Sequence, residues 1–155
     1  MKCDEKSCGA IVLRKDTKDP SRRFLLVIRQ HSHGPITFPK GHVEPGESEI
    51  ETAEREVFEE TAVRIKINCG FRETVYYRPN PEVLKEVVYF LAETDDIMTV
   101  PQKGEIAEAF WVDAEKAGKI IAFRNDRRLL DKALEYIKKN FGVDSDKLEY
   151  SEEVK

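Results

Sequence analysis

Glu56, Glu59 and Glu60 put three carboxylates close together in the stretch 41–63, GHVEPGESEIETAEREVFEETAV. At that spacing they repel one another unless a cation stands between them. Hard divalent cations such as Mg²⁺ take all-oxygen ligand sets and often keep substrate phosphates as further ligands. The pattern points to metal-assisted chemistry on a phosphorylated molecule.

A helix must present these groups. At about 100° per residue, Glu56, Glu60 and Glu59 share an arc roughly 100° wide. Ile50, Ala53, Val57 and Thr61 form a neighbouring, mostly apolar stripe. One face can then pack on a core while the next offers carboxylates to a cleft. Ser48 and Glu51 read as an S-x-x-E capping box that starts a helix predicted over about 48–61. Pro45-Gly46, just upstream, is a turn signal. Glu51 and Arg55 are spaced to pair, which would help hold Arg55 in place. Acidic runs on helices are usually solvated faces. Here a glycine turn, a cap, an arginine and a triple carboxylate coincide, and together they argue for a site.

These residues resemble the Nudix box: glycine, five residues, glutamate, seven residues, then R-E-U-x-E-E-x-G-U with U aliphatic. Gly41, Glu47 and the run REVFEETAV at 55–63 match it. Ala62 stands where that family usually has glycine, at a helix end where a positive φ or close packing is wanted. The resemblance implies an α/β/α sandwich of α+β class with a mixed sheet. It also implies hydrolysis of a nucleoside diphosphate linked to some other group.

Further segments are similar to the asymmetrical diadenosine tetraphosphate hydrolases of that family. They are PKGHVEPGE (39–47), SCGAIV (7–12), GFRETVYY (70–77), KEVVYFLA (85–92) and GEIAEAFWV (104–112). The likeness runs over residues 5–141. It implies asymmetrical cleavage of diadenosine tetraphosphate to ATP and AMP by metal-assisted attack of water. The rival readings are another Nudix substrate (a damaged nucleoside triphosphate, ADP-ribose, an RNA cap or a diphosphoinositol phosphate) and a catalytically silent ligand-binding module.

Glu56, Glu59 and Glu60 are assigned as ligands to Mg²⁺, with Mn²⁺ as the alternative, and by resemblance the Gly41 carbonyl joins them. Arg55 is expected to orient the carboxylates, and Glu47 to fix the turn. Glu105 is the candidate further ligand or general base, with Glu108 as its competitor and Glu56 as another possible base. Lys40, His42 and Lys85 are the candidate phosphate contacts. Tyr76 is the candidate for stacking on adenine or bonding phosphate, with Tyr77 on the opposite sheet face. Trp111 is expected in the core.

At 155 residues, with 40% hydrophobic and 36% charged residues, one soluble domain spanning 1–155 is expected. A net charge of −4 argues against a nucleic-acid coat and leaves room for a small nucleotide held locally by Lys, Arg and metal. No apolar run is long enough to span a bilayer, and MKCDEKSCGA lacks the apolar core of a signal peptide. Cys3, Cys8 and Cys69 lack metal-ligand spacing; Cys8 and Cys69 are expected as buried thiols, in a cytoplasmic monomer.

Strands are predicted at 8–14, 23–30, 64–77, 85–93 and 106–112, and RPNP at 78–81 is expected to be a loop. Leu129, Leu130, Ala133, Leu134, Ile137 and Phe141 space out an amphipathic helix over about 125–140. Residues 144–155 read as a frayed polar tail.

Overall fold

The apolar run after Ser7 is buried from both sides and becomes the strand to which most others attach. In the computed structural model, which describes residues 3–141, this is β1 (Glu5–Lys15). The predicted tail at 144–155 lies outside the described residues. After β1 come β2 (Arg23–Arg29), β3 (Lys40–His42), α1 (Glu49–Thr61), β4 (Lys66–Asn80), β5 (Val83–Glu93), β6 (Glu108–Asp113), a 3₁₀ turn (Ala117–Lys119) and α2 (Arg124–Phe141). The strands among the described residues form one sheet in the order β4-β5-β1-β2-β6, with β3 added on β1. β1 and β5 run parallel and the other pairs antiparallel, so the sheet is mixed.

Alternation along the strands divides the core into two layers. Cys8, Ala10 and Val12 of β1, with Val88, Phe90 and Ala92 of β5, meet Ala53 and Val57 of α1. On the other face Ile11 and Leu13, with Val87, Tyr89 and Leu91, meet Leu129, Leu130, Ala133 and Ile137 of α2. Each fully buried Val or Leu contributes about 1.5–3 kcal/mol, so the two layers hold both helices on the sheet. This is the α+β sandwich expected from the sequence.

β3 is held close to β1. Gly41 pairs with Cys8 and Lys40 with Gly9. A side chain at Gly9 would collide with the Pro39 carbonyl and with Lys40. Glycine at this position lets the chain entering the acidic turn lie directly on the sheet.

Some expectations are corrected. The loop predicted at 78–81 is shorter, because β4 continues through Arg78 and Pro79 to Asn80 and only Pro81 and Glu82 turn. Pro79 cannot donate to a ladder, but β4 is the edge strand and its pairing shifts register between Tyr77 and Asn80, which is where proline is tolerated. β6 begins at Glu108 rather than 106, because the Ile106 N–H is spent on the Gln102 carbonyl in a turn. Cys69 is exposed, not buried, since the β4–β5 register shift between Asn68 and Arg72 lifts it out of the ladder. Cys8 is buried, and burial pushes its thiol up to about 11. Among the described residues no helix is long and apolar enough to cross a membrane.

Candidate active site

Ser48 caps α1: its hydroxyl accepts from the Glu51 N–H at 3.1 Å, and the Glu51 carboxylate accepts from the Ser48 N–H at 2.9 Å. Glu51 is thereby committed to the cap, and the expected Glu51–Arg55 pair gives way to a different grip. Arg55 Nε donates to Glu47 at 2.6 Å and Nη2 donates to the same carboxylate at 2.9 Å, a bidentate fork. Glu47 also accepts from the Glu44 N–H at 3.0 Å and the Thr52 hydroxyl at 2.8 Å. The Arg55 guanidinium is the main reason the Glu47 carboxyl is held down at about 2.

The rest of the guanidinium faces the catalytic candidates. Nη1 donates to Glu56 at 2.7 Å and to Glu59 at 3.0 Å, and Nη2 to the His42 carbonyl at 3.0 Å. Arg55 thus joins the turn, β3 and the acidic face of α1.

The opposite side of the acidic face lies on β3. The Glu60 carboxylate is buried and accepts the Lys40 backbone N–H at 2.9 Å. Burial pushes its carboxyl up to about 8; Glu56 and Glu59 add to the rise and the Lys40 N–H opposes it. The Glu56 carboxylate lies against Gly41, where any side chain would overlap it. Among the described residues no three His, Cys, Asp or Glu side chains stand in ready-made ligand geometry, because Glu56 and Glu59 turn toward Arg55. The donor set nevertheless fits a hard cation. It is all oxygen, it carries more negative charge than Arg55 alone balances, and the Gly41 cradle keeps the approach to Glu56 clear.

The C-terminal end of α1 is closed by the chain and not by glycine. Ala62 adopts φ 64° and ψ 14°, and its N–H donates to the Phe58 carbonyl at 2.8 Å. The left-handed conformation that the box position demands is therefore formed by a residue with a Cβ. The Thr61 and Glu60 carbonyls accept from the Val100 and Gln102 N–H groups at 2.9 and 3.2 Å. That segment then carries Glu105, exposed in the turn that follows, past the end of α1. Glu108 instead pairs with Arg29 at 3.4 Å on β6.

The remaining candidates divide between the two faces. Ile36 and Phe38 pack in the α2 layer, and Lys40 continues that alternation. Its ammonium is pulled down chiefly by burial and next by the Lys85 charge. Lys85 is the cross-strand partner of Tyr77, with its ammonium 5.8 Å from that ring. Tyr76 lies on the α1 face, with its hydroxyl 3.5 Å from Glu86. The structure therefore brings Lys40, Lys85 and Tyr77 to one side and leaves Tyr76 on the other. The His42 side chain is exposed; its carbonyl is what the clamp uses. Trp111 is half-buried against the α1 layer, donates to the Ile97 carbonyl at 2.8 Å and is covered by the Arg14 guanidinium at 4.8 Å.

Sequence reasoning missed Asp126, which is 8% exposed beneath the start of α2. A signal existed: Asp126 extends the spacing of Leu129, Leu130, Ala133 and Ile137 by one turn, which puts a charge on an apolar stripe. Burial pushes its carboxyl up to about 6, and the Lys40 ammonium opposes that rise.

Comparison with known proteins agrees with this geometry. Residues 5–134 match the NUDIX domain. The asymmetrical bis(5′-nucleosyl)-tetraphosphatase of Mus musculus is 31% identical over 142 residues, covering 85% of this chain and 95% of that one. The Caenorhabditis elegans enzyme of the same name is 32% identical over 130 residues, covering 82% and 92%. The crystal structure of a C. elegans Ap4A hydrolase binary complex superposes with a TM-score of 0.75 at 28% identity, covering 87% of this chain and 98% of that one. With the carboxylate helix, its arginine clamp and the mixed-sheet sandwich in place, this chain belongs to the Nudix hydrolase family.

Proposed function

We propose that the protein hydrolyses a dinucleoside tetraphosphate asymmetrically, cutting diadenosine tetraphosphate to ATP and AMP. The observation that carries this reading is the placement of Lys40 and Lys85. Neither ammonium has an ion pair among the described residues, both share one face, and Lys40, close enough to feel the Lys85 charge, also feels those of Glu60 and Glu56 across β3. Cations left unpaired beside a cluster of carboxylates suit a polyphosphate that bridges both. The similarity to the mouse and nematode tetraphosphatases over nearly their whole length supports the same substrate.

Glu56, Glu59, Glu60 and the Gly41 carbonyl would hold Mg²⁺, with Mn²⁺ as a substitute. When bound, such an ion supplies Lewis-acid polarisation of phosphoryl oxygens and neutralises charge that develops on them. Arg55 keeps Glu56 and Glu59 oriented through Glu47. Lys40 and Lys85 receive the phosphate chain, and Tyr77 flanks it by its pairing with Lys85. His42 is exposed at the end of β3, two residues beyond Lys40. Glu105 is the candidate for taking the proton of the attacking water, since it is exposed where the chain passes the end of α1. Tyr76 serves this reading less well, because it stands on the α1 face beside Glu86.

Product chromatography after incubation with diadenosine tetraphosphate and Mg²⁺ tests the proposal. ATP and AMP in equal amounts are expected. Two equivalents of ADP would refute the asymmetrical cut, and an untouched dinucleotide would refute the substrate.

A further inference from the structure

Asp126 is buried, 8% exposed. Among the described residues its carboxylate accepts no hydrogen bond and makes no ion pair. Leaving an ionisable group in that state is unfavourable, so its surroundings must hold it there. Arg127, next to it, donates through Nη1 to the Ile121 and Ala122 carbonyls at 3.0 and 3.2 Å. The Arg127 N–H donates to the Phe123 carbonyl at 3.0 Å, and the Ala122 N–H to the Ile36 carbonyl at 3.2 Å. Ile121 also bridges Ile36 directly. The start of α2 is thus tied to the segment that runs through Phe38 into Lys40, and Asp126 is fixed on the lysine-bearing side of the sheet.

A carboxylate at that place has nothing to offer a phosphate. It can accept hydrogen bonds from a donor next to the phosphate, and its two oxygens can accept from two donors at once. In a nucleotide the donors adjoining the phosphate chain are the vicinal hydroxyls of the ribose.

We propose that Asp126 accepts the ribose hydroxyls of the nucleotide whose phosphates rest on Lys40 and Lys85, and so selects ribonucleotides over their deoxy analogues. This rests on the polyphosphate reading above and assigns a specificity-determining residue to it.

The test compares kcat/KM for diadenosine tetraphosphate and its 2′,3′-dideoxy analogue in the wild type, Asp126→Asn and Asp126→Ala. Calorimetric binding of ATP and 2′,3′-dideoxy-ATP is measured in parallel. The wild type should favour the ribo form by about 10–100-fold, the range of a charge-assisted hydrogen bond. In Asp126→Ala the preference should collapse to within about threefold, through loss on the ribo substrate alone. Asp126→Asn, nearly isosteric and keeping one acceptor, should fall between and guards against misfolding of the alanine variant. Equal treatment of both sugars by the wild type, an equal loss on both in the variants, or a change in adenine-against-guanine preference instead would overturn the assignment. If the wild type cuts neither dinucleotide, the tetraphosphatase reading falls and the calorimetric pair decides this inference by itself.

Discussion

The charges around Arg55 and those around Lys40 lie on opposite sides of β3 and are handled in opposite ways. Arg55 donates to Glu47, Glu56, Glu59 and the His42 carbonyl, all within 3.0 Å. Lys40, Lys85 and Asp126 have no such contacts among the described residues, although Asp126 is buried. A saturated cluster is scaffold, since its hydrogen bonds fix geometry before any ligand arrives. An unsaturated one stores unfavourable desolvation that a ligand can relieve. The contrast separates the part of the site that aligns from the part that receives.

The sharpest way to break this distinction is at Glu60, which belongs to both sides. Glu60→Gln keeps the acceptor for the Lys40 N–H but removes a ligand charge. Turnover should drop about 10³-fold, roughly 4 kcal/mol of transition-state stabilisation. The melting temperature of the metal-free protein should rise, because a buried carboxylate beside Glu56 and Glu59 is gone. Steady-state kinetics and thermal melting, read together, check both signs. A variant that loses stability and activity in step would make Glu60 scaffold.

Glu47→Ala tests the saturated side. Arg55 would lose its bidentate partner and swing freely against Glu56 and Glu59. Activity should fall about 10–100-fold, as when supporting residues of a metal site are removed. The apparent Mg²⁺ requirement should rise, which a metal titration of the rate would reveal. Unchanged metal dependence would separate Glu47 from the site.

Asp126→Asn probes the unsaturated side through stability. The folded carboxyl at about 6 lies above its ordinary 3.8, so the folded state holds the proton more tightly. Asp126 therefore destabilises progressively as pH rises from about 4 to 6, and fully above that. The asparagine variant should be more stable at pH 7.5 by about 1–3 kcal/mol and nearly equal to wild type at pH 4. Urea unfolding at both pH values measures the difference; a gain that persists at pH 4 would point to packing instead.

The smallest effect is expected at Ala62, outside both clusters. The left-handed conformation costs a residue with a Cβ about 1–2 kcal/mol, part of which glycine returns through its freer unfolded chain. Ala62→Gly should stabilise by about 0.5–1 kcal/mol with unchanged kcat. A stability loss would show that the Ala62 methyl is packing usefully.

The aligning half was legible in the sequence because it is contiguous. Turn, cap, clamp and carboxylates fall within 41–63, where spacing alone states the geometry. Even there, the choice between Glu51 and Glu47 as the partner of Arg55 escaped helix rules. Glu51 was claimed by the cap, and the turn brought Glu47 back onto the helix. The receiving half is assembled from Lys40, Tyr77, Lys85 and Asp126 on β3, β4, β5 and α2. Alternation told Tyr76 from Tyr77 but not which face carries the lysines, because that depends on the long-range pairing of β4 with β5. Asp126 was hidden by its type, since an acidic residue in a first helical turn is ordinarily a favourable match to the helix dipole.

β1 bonds β5 along one edge and shares its other edge between β2 and β3. The acidic turn is therefore anchored to the strand least able to open on its own, and Gly9 lets it sit there. The Gly41 amide proton, paired with Cys8 of β1, should then exchange only when the whole sheet comes apart, and heat should silence the enzyme at the temperature that melts it, with no earlier inactive phase.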